Sequence, residues 1–268
     1  MNKLACPICQ QHLTHDPSTL SCPAGHAFDI ARQGYVSLLR GGKRATTGDD
    51  AAMVAARDAF LNRGHYEPVA SAISASLPDN DGLCVDLAGG TGYYLQRVLE
   101  DRPGMVGASV DLSKFAVRRA AGRHPRIAAI SADVWQPLPF RSGTAEYVLS
   151  IFGPRNPGEI KRILNSGGTL LVVTPTERHL RELVDSLGLI GVDPSKESRL
   201  AEQLSDFTRI SRRTVEYTVA MDHDDVRNDV LMGPSIHHID QADFEHQVAA
   251  LPEQCDVTVS VQVALYRP

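Results

Sequence analysis

Two periods of hydrophobicity alternate along most of this chain, and the switches between them predict its architecture. From Asp50 onward apolar positions recur three and four apart, with Met53, Ala56 and Phe60 on one face of a helix that Asp49 or Asp50 caps and that runs through Leu61. Gly64 ends it, and Pro68 opens a second helix in which Val69, Ile73 and Leu77 recur every fourth residue. The period then shortens. Leu83 to Leu87 is a compact apolar run followed by a glycine-rich turn and a helix from Tyr93 through Leu99. Further strands are predicted at Met105 to Val110, Ile127 to Ser131, Glu146 to Ile151 and Thr169 to Thr174, with helical or loop segments between them. Such alternation predicts an α/β fold with a doubly wound sheet. The end of the chain differs: Val257, Val259, Val261, Val263 and Leu265 alternate strictly, as does part of Phe207 to Val219, so paired strands are expected at one sheet edge.

Before Asp50 neither period holds, and cysteines set the pattern instead. Cys6-Pro7-Ile8-Cys9 and Cys22-Pro23-Ala24-Gly25-His26 are two short-gap pairs, each within a turn rich in Pro or Gly. Two thiolates on one turn can face one ion, and two such turns complete the tetrahedron that zinc accepts from sulfur and nitrogen. Four protein ligands leave no open position, so a structural Zn2+ on Cys6, Cys9, Cys22 and His26 is expected. His12 and His15 lie between the pairs as alternatives to His26, while Cys84 and Cys255 stand alone and are read as small core residues. So small a module buries too little surface to fold alone, and the metal supplies folding free energy. Residues 1–38 are therefore expected to form a zinc-binding recognition module, 39–78 a linker and helices, and 79–268 the main domain.

Charge sharpens this division. The net charge is -5, yet Lys3, Arg32, Arg40, Lys43 and Arg44 face only Asp16 and Asp29 before residue 45. A basic module with Tyr35 beside Arg32 and Arg40 suits base stacking and phosphate contact, although core packing accounts for Tyr35 equally well. A second basic run, Lys114, Arg118, Arg119, Arg123 and Arg126, is either a solvated helix face or an RNA-facing one. No apolar run approaches the ~20 residues of a membrane span, and Met1 to Cys6 carries no secretory pattern, so a soluble, cytoplasmic protein without a membrane partner is expected.

Candidate chemistry gathers at the predicted strand ends. Asp86-Leu87-Ala88-Gly89-Gly90-Thr91-Gly92-Tyr93 follows the first strand directly, where a turn passes close beneath a ligand. About twenty residues on, Asp111 ends the second strand and is placed to accept hydrogen bonds from both hydroxyls of a ribose. Asp133 ends the third, suitably placed for an adenine amino group, with Trp135 nearby as a stacking surface, although a surface-loop role fits Asp133 as well.

With Asn165-Ser166-Gly167-Gly168 before the fifth strand, this order resembles the class I S-adenosylmethionine-dependent methyltransferases, a Rossmann-like fold; that family commonly has Gly where this chain has Ala88. The zinc pairs, then Phe28-Asp29, Gly34-Tyr35-Val36, Gly48-Asp49, Arg57, Phe60-Leu61, Gly64-His65-Tyr66 and Pro68, resemble the RlmA family of 23S rRNA (guanine-N1)-methyltransferases, as do Thr174-Pro175, His179-Leu180, Glu182-Leu183 and Gln203-Leu204. Phe152-Gly153-Pro154-Arg155-Asn156 and Met232-Gly233-Pro234-Ser235 resemble its TlrB-like macrolide-resistance branch. The resemblance implies methylation of N1 of a guanine, of the guanine-748 type, in a hairpin loop of 23S rRNA by a homodimer whose zinc modules flank an RNA cleft. It also implies cofactor contacts from Tyr66 and His179, beside Asp86, Gly90, Thr91, Gly92, Tyr93, Asp111 and Asp133.

Guanine N1 carries a proton that must leave, and the sequence identifies no group for it; His179, Asp133 and residues 152–156 are all candidates by position, with Arg155 placed either for the developing O6 charge or for phosphate. Two other classes fit parts of the pattern. A small-molecule methyltransferase of quinone or antibiotic metabolism shares the cofactor half but has no use for a basic zinc module, and a noncatalytic RNA-binding or assembly protein would keep the fold without binding cofactor.

Overall fold

A computed structural model of the chain describes residues 3–40, 48–233 and 240–268. The Gly41-Gly42-Lys43-Arg44 segment and Pro234-Ser235 lie outside the described residues. The N-terminal module holds three short strands, β1 (Thr14–Asp16), β2 (Thr19–Ser21) and β3 (Ala27–Asp29), in an antiparallel sheet. Next comes β4 (Tyr35–Ser37), which leaves that sheet and pairs in parallel with a strand of the main domain.

The first two helices follow from their caps. Helix α1 (Ala51–Asn62) starts where the Asp50 carboxylate accepts from the amides of Ala52 and Met53, and it buries Val54, Ala56, Phe60 and Leu61. Helix α2 (Glu67–Ser76) carries Pro68 in its first turn, where a missing amide hydrogen costs nothing, and it buries Val69 and Ile73. The main domain then runs β5 (Leu83–Leu87), α3 (Tyr93–Asp101), β6 (Val106–Asp111), α4 (Lys114–Ala121), β7 (Ile127–Ser131), β8 (Ala145–Ile151), α5 (Pro157–Ile163), β9 (Leu164–Pro175), α6 (Arg181–Leu187) and α7 (Lys196–Gln203). It ends with β10 (Thr208–Asp222), α8 (His223–Met232), α9 (Gln241–Ala250) and β11 (Gln254–Arg267).

The main sheet has eight strands in the order β10-β11-β9-β8-β5-β6-β7-β4. From β9 to β4 neighbouring strands are parallel, whereas β11 lies antiparallel between β9 and β10, and β10 with β11 forms the edge pair expected from the alternating valines. Strand order reverses between β5 and β8, and in a doubly wound sheet ligands bind in the crevice that this reversal opens at the carboxyl ends of the strands.

One feature departs from the sequence expectation, and two that the sequence left open are decided. The Asn165-Ser166-Gly167-Gly168 stretch lies within β9 rather than in a loop before it, and the pairing shifts register there, from Ala145 opposite Leu164 to Tyr147 opposite Thr169. A Cβ on Gly168 would come within 2.9 Å of the Leu164 side chain, so the glycine keeps this irregular stretch close-packed. Second, the basic run after Asp111 is divided: Lys114, Arg118 and Arg119 are exposed, whereas Arg123 and Arg126 are half-buried and turn inward. Arg123 donates to Asp58 and Asn62 of α1, Arg119 pairs with Asp58, and Arg126 grips the backbone carbonyls of Leu99, Arg102, Pro103 and Met105. Third, Tyr35 packs against Val117 and Ala120 of α4, which is the core role rather than the stacking one.

The N-terminal module is fused to the sheet. Leu13 and Leu20 share one apolar cluster with Leu138, Phe140, Val148 and Ile163, and Leu4 bridges to Phe140. The backbone is stitched there as well: the Ala5 amide donates to the Pro139 carbonyl, and the Arg141 amide to that of Lys3.

Candidate active site and metal centre

The metal centre is assembled by two turns. Cys6, Cys9, Cys22 and His26 bring one ligand atom each within 4.8 Å of all the others. Sγ of Cys9 and Cys22 are 3.6 Å apart, and Nδ1 of His26 lies 3.6 Å from Cys6 Sγ and 3.3 Å from Cys22 Sγ. Zinc–sulfur bonds of about 2.3 Å set the corners of a tetrahedron about 3.8 Å apart, so these spacings fit a Zn2+ ion with no vacant position. His12 and His15 are exposed and take no part in the cluster.

At the carboxyl ends of the parallel strands lies a cavity of about 700 Å³, within the ~300–1,000 Å³ usual for small-molecule sites. Tyr66, Asp86, Gly90, Thr91, Tyr93, Asp111, Asp133 and His179, all singled out by sequence, line it. Gly92 does not. It takes φ +77° at the start of α3, and a Cβ there would press within 3.3 Å of Ala120, so its glycine serves the packing of α3 against α4.

The turn after β5 is built by hydrogen bonds to one acid. Asp111 Oδ2 accepts from the Gly90 amide at 2.9 Å and Oδ1 from the Ser113 amide at 2.8 Å, which leaves a further lone pair on each oxygen. Burial pushes the Asp111 carboxyl up, and the two amide donors oppose that shift. Asp86 is sealed beneath the same turn: a Cβ on Gly89 would stand 2.8 Å from its Oδ2 and 2.7 Å from Ser109 Oγ, and neither of those buried atoms has a hydrogen-bond partner among the described residues. Burial, and then the charge of Asp111, raise the Asp86 carboxyl to about 8.

Ala88 departs from the glycine common at its position and adopts φ +54°, a left-handed conformation costly for a residue with a Cβ. The space for its methyl group comes from Gly153, whose own Cβ would meet it at 3.0 Å. Across the described residues the non-glycine positions with positive φ are Gln10, Ala88, Phe152 and Leu180. Gln10 adjoins the Cys6–Cys9 turn, and the other three line the cavity. Among the described residues, left-handed non-glycine backbone thus occurs only at or beside the two sites.

An aromatic wall faces the turn. The Ser260 amide donates to His179 Nδ1 at 3.2 Å, which fixes the proton on Nε2, and Nε2 lies 3.2 Å from the Tyr66 hydroxyl. Burial and the nearby Lys196 charge pull His179 down to about 4, so the ring is neutral at pH 7. Phe152 stacks on that ring at 6.0 Å with planes 17° apart and meets Tyr66 edge-on at 6.2 Å, while the residue as a whole is 40% exposed. Trp135 stands 58% exposed at the far rim, beyond Asp133, whose Oδ1 accepts from the Trp135 amide.

Arg155, a sequence candidate for charge stabilisation, is occupied elsewhere: it donates to Ser150 Oγ, the Gly153 carbonyl and Gln203, and so braces the Phe152-Gly153-Pro154 turn. Two cavity residues were given no site role by the sequence. Arg57 pairs with Asp49 and donates to the Met232 carbonyl, tying α1 to α8 over Gly90. Asp229 of α8 is 7% exposed, lines the cavity, and is raised to about 7 by burial. Its sole sequence signal is an acid three residues after buried Val226 on the inward face of an amphipathic helix.

Comparison with known proteins agrees with this architecture. A family model for the RlmA N-terminal zinc ribbon matches residues 4–43. The 23S rRNA (guanine(748)-N(1))-methyltransferase of Streptomyces fradiae is 47% identical over 99% of this chain and 96% of its own length. A Micromonospora griseorubida protein named for 23S rRNA guanine-N1 methylation is 43% identical over 99% of this chain and 97% of its own. Among solved structures, phosphoethanolamine N-methyltransferase 2 of Haemonchus contortus shares the fold at TM-score 0.51 and 14% identity, over 83% of this chain and 59% of that one. With matching residues running from the metal cluster through the cavity to the edge strands, the chain belongs to the RlmA family of 23S rRNA (guanine-N1)-methyltransferases.

Proposed function

We propose that this protein transfers a methyl group from S-adenosylmethionine to N1 of a guanine in a hairpin loop of 23S rRNA. The observation that carries this is the pairing, in one chain with a shared core, of a nucleoside-sized cavity at the sheet's switch point with a metal module of the RlmA type. The position that the Streptomyces fradiae relative's name specifies, guanine 748, is the favoured target, with reduced macrolide sensitivity of the ribosome as its consequence. Family membership supports a homodimer whose zinc modules flank the RNA, acting in the cytoplasm where ribosomes are made.

Bound S-adenosylmethionine supplies an electrophilic methyl group on a sulfonium. The chain's own residues orient it. Asp111 offers the two free lone pairs to the ribose hydroxyls, while Asp133, with its second oxygen, receives the adenine amino group beside Trp135. The Ala88-to-Tyr93 turn passes beneath the cofactor, and Tyr66 and His179 close over its methionine end, where Asp86 adds a polar floor. Phe152, strained and exposed at the rim, gives the flipped guanine a face to stack on. In-line transfer then depends on position and a dry pocket.

Reverse transcription of 23S rRNA treated with protein and cofactor tests this. A methyl on N1 blocks base pairing, so a new stop is expected at one loop guanine. Labelled methyl entering a small molecule, with no stop in the RNA, overturns the substrate assignment.

A further inference from the structure

Methylation at guanine N1 requires loss of the N1 proton, and the cavity contains few groups free to take it. Both nitrogens of His179 are committed, Nδ1 to the Ser260 amide and protonated Nε2 to Tyr66. Asp111 is held by two backbone amides at the base of the glycine turn, and Asp86 lies sealed below it, 1% exposed. Asp133 accepts from the Trp135 amide at the opposite rim, and Arg155 carries only donors.

Asp49 is paired with Arg57, and Asp193 with Arg199 and Ser195, so Asp229 alone of the cavity's acids fits. Its carboxyl is more than nine-tenths buried and has no hydrogen-bond or ion-pair partner among the described residues, yet it borders the cavity on the side of Tyr66 and Phe152. An unpartnered carboxyl in such a place is costly and persists only where a ligand completes it. Among the described residues, the groups on the elements packed against α8 leave it unneutralised. From α1, Arg57 is bound by Asp49 and the Met232 carbonyl, and Arg63 by Asp222 and Asp225; α2 presents Tyr66, β10 presents Tyr217 bonded to the His65 carbonyl, and α9 presents Glu245 paired with Arg227. Guanine offers the complement: N1–H and the N2 amino group are adjacent donors on one edge, matched to the two oxygens of a carboxylate.

We infer that Asp229 is the catalytic residue that receives the N1 proton of the target guanine. This rests on the RNA guanine reading above. The N1–H bond breaks to a carboxylate oxygen, and the N1 pair so freed forms the N–CH3 bond. The carbon–sulfur bond breaks as it does, its electron pair stays on sulfur and cancels the sulfonium charge, and Asp229 later releases the proton to water. A carboxyl whose ionisation lies near neutrality is matched to this task.

The test is single-turnover methyl transfer to a 23S rRNA hairpin transcript, with enzyme and cofactor saturating, from about pH 6 to 9. Asp229→Asn is expected to slow transfer by about 10²–10⁴-fold and to abolish the rise governed by the wild-type group near neutral pH. Calorimetric affinity for S-adenosylmethionine should stay within about threefold, and Asp229→Glu should restore part of the rate with a displaced pH midpoint. If Asp229→Asn weakens cofactor binding while the saturated rate and its pH profile persist, the carboxyl holds the cofactor's ammonium and the inference is overturned. A wild-type enzyme that binds cofactor but leaves RNA unmethylated overturns the parent reading as well; an active wild type with an unaffected variant overturns this assignment alone.

Discussion

The metal centre and the cavity both join residues from separate turns, but over very different lengths of chain. All four metal ligands fall between Cys6 and His26, in two turns that a small antiparallel sheet folds together. The cavity draws residues from Gly48 to Gly233, set on strands whose order in the sheet is not their order in the chain. A site made of short-range turns shows itself as spacing. One made of strand ends and a late helix shows only those members that sit beside a recognisable turn. The two regions also differ in what stabilises them, since the metal centre depends on an ion and the cavity on the close packing of the sheet beneath it.

The largest test of that difference is removal of the metal. Chelation, or Cys22→Ser, should cost about 5 kcal/mol or more and lower a single thermal transition of the whole chain, because Leu13 and Leu20 share a core with Phe140 and Ile163 and β4 closes one sheet edge. A melt that splits in two, with cofactor affinity intact after the first step, would show the two regions to be energetically separate.

The next effect belongs to the cavity alone. Asp111→Ala removes the acceptor for the Gly90 and Ser113 amides as well as the proposed ribose contacts, and should weaken S-adenosylmethionine binding by about 10²-fold or more while zinc content stays unchanged. Calorimetry and metal analysis on the same sample check both halves of that statement.

A smaller perturbation probes the strained turn. Gly153→Ala brings its methyl against that of Ala88 and should destabilise the fold by about 1–3 kcal/mol, with most of the loss recovered when Ala88→Gly is added. Additive losses in denaturant unfolding would mean that the two turns do not share this space.

The smallest effect concerns Asp86. Its folded pKa of about 8 lies above the unfolded value of about 3.9, so between these the folded state holds a proton that the unfolded state has lost. Its stabilising contribution is therefore complete below about pH 4 and declines as pH rises through 8. Between about pH 6.5 and 8, where His179 no longer titrates, wild-type stability should fall by about 1 kcal/mol per pH unit more than that of Asp86→Asn. Parallel slopes for the two proteins would show that Asp86 is ionised in the fold.

Much of this was legible along the chain. Caps at Asp50 and Pro68, the run Leu83 to Leu87 and the alternating valines are local consequences of backbone geometry, and each produced its element. The irregular stretch at residues 165–168 was misplaced because Gly167-Gly168 signals a turn, whereas the pairing of Leu164 and Thr169 with β8 on either side carries it within one strand across a shift of register. The basic run after Asp111 was ambiguous because charge alone does not say which way an arginine points; Asp58 and a row of carbonyls drew Arg123 and Arg126 inward. Asp229 went unseen because nothing near it in sequence differs from an ordinary helix.

The sequence by itself determined the parts of the protein governed by contacts between near neighbours: the metal ligands, the helix starts, the glycine turn with Asp111, and the edge strands. Only the tertiary structure decided which acids are buried, that Gly153 gives Ala88 its room, that His179 is neutral with both nitrogens occupied, and that a buried carboxyl without a partner among the described residues borders the cavity near Tyr66. The physical reason is that burial and electrostatic environment are set by elements far apart in the chain, and they are fixed only when the sheet brings those elements to one crevice.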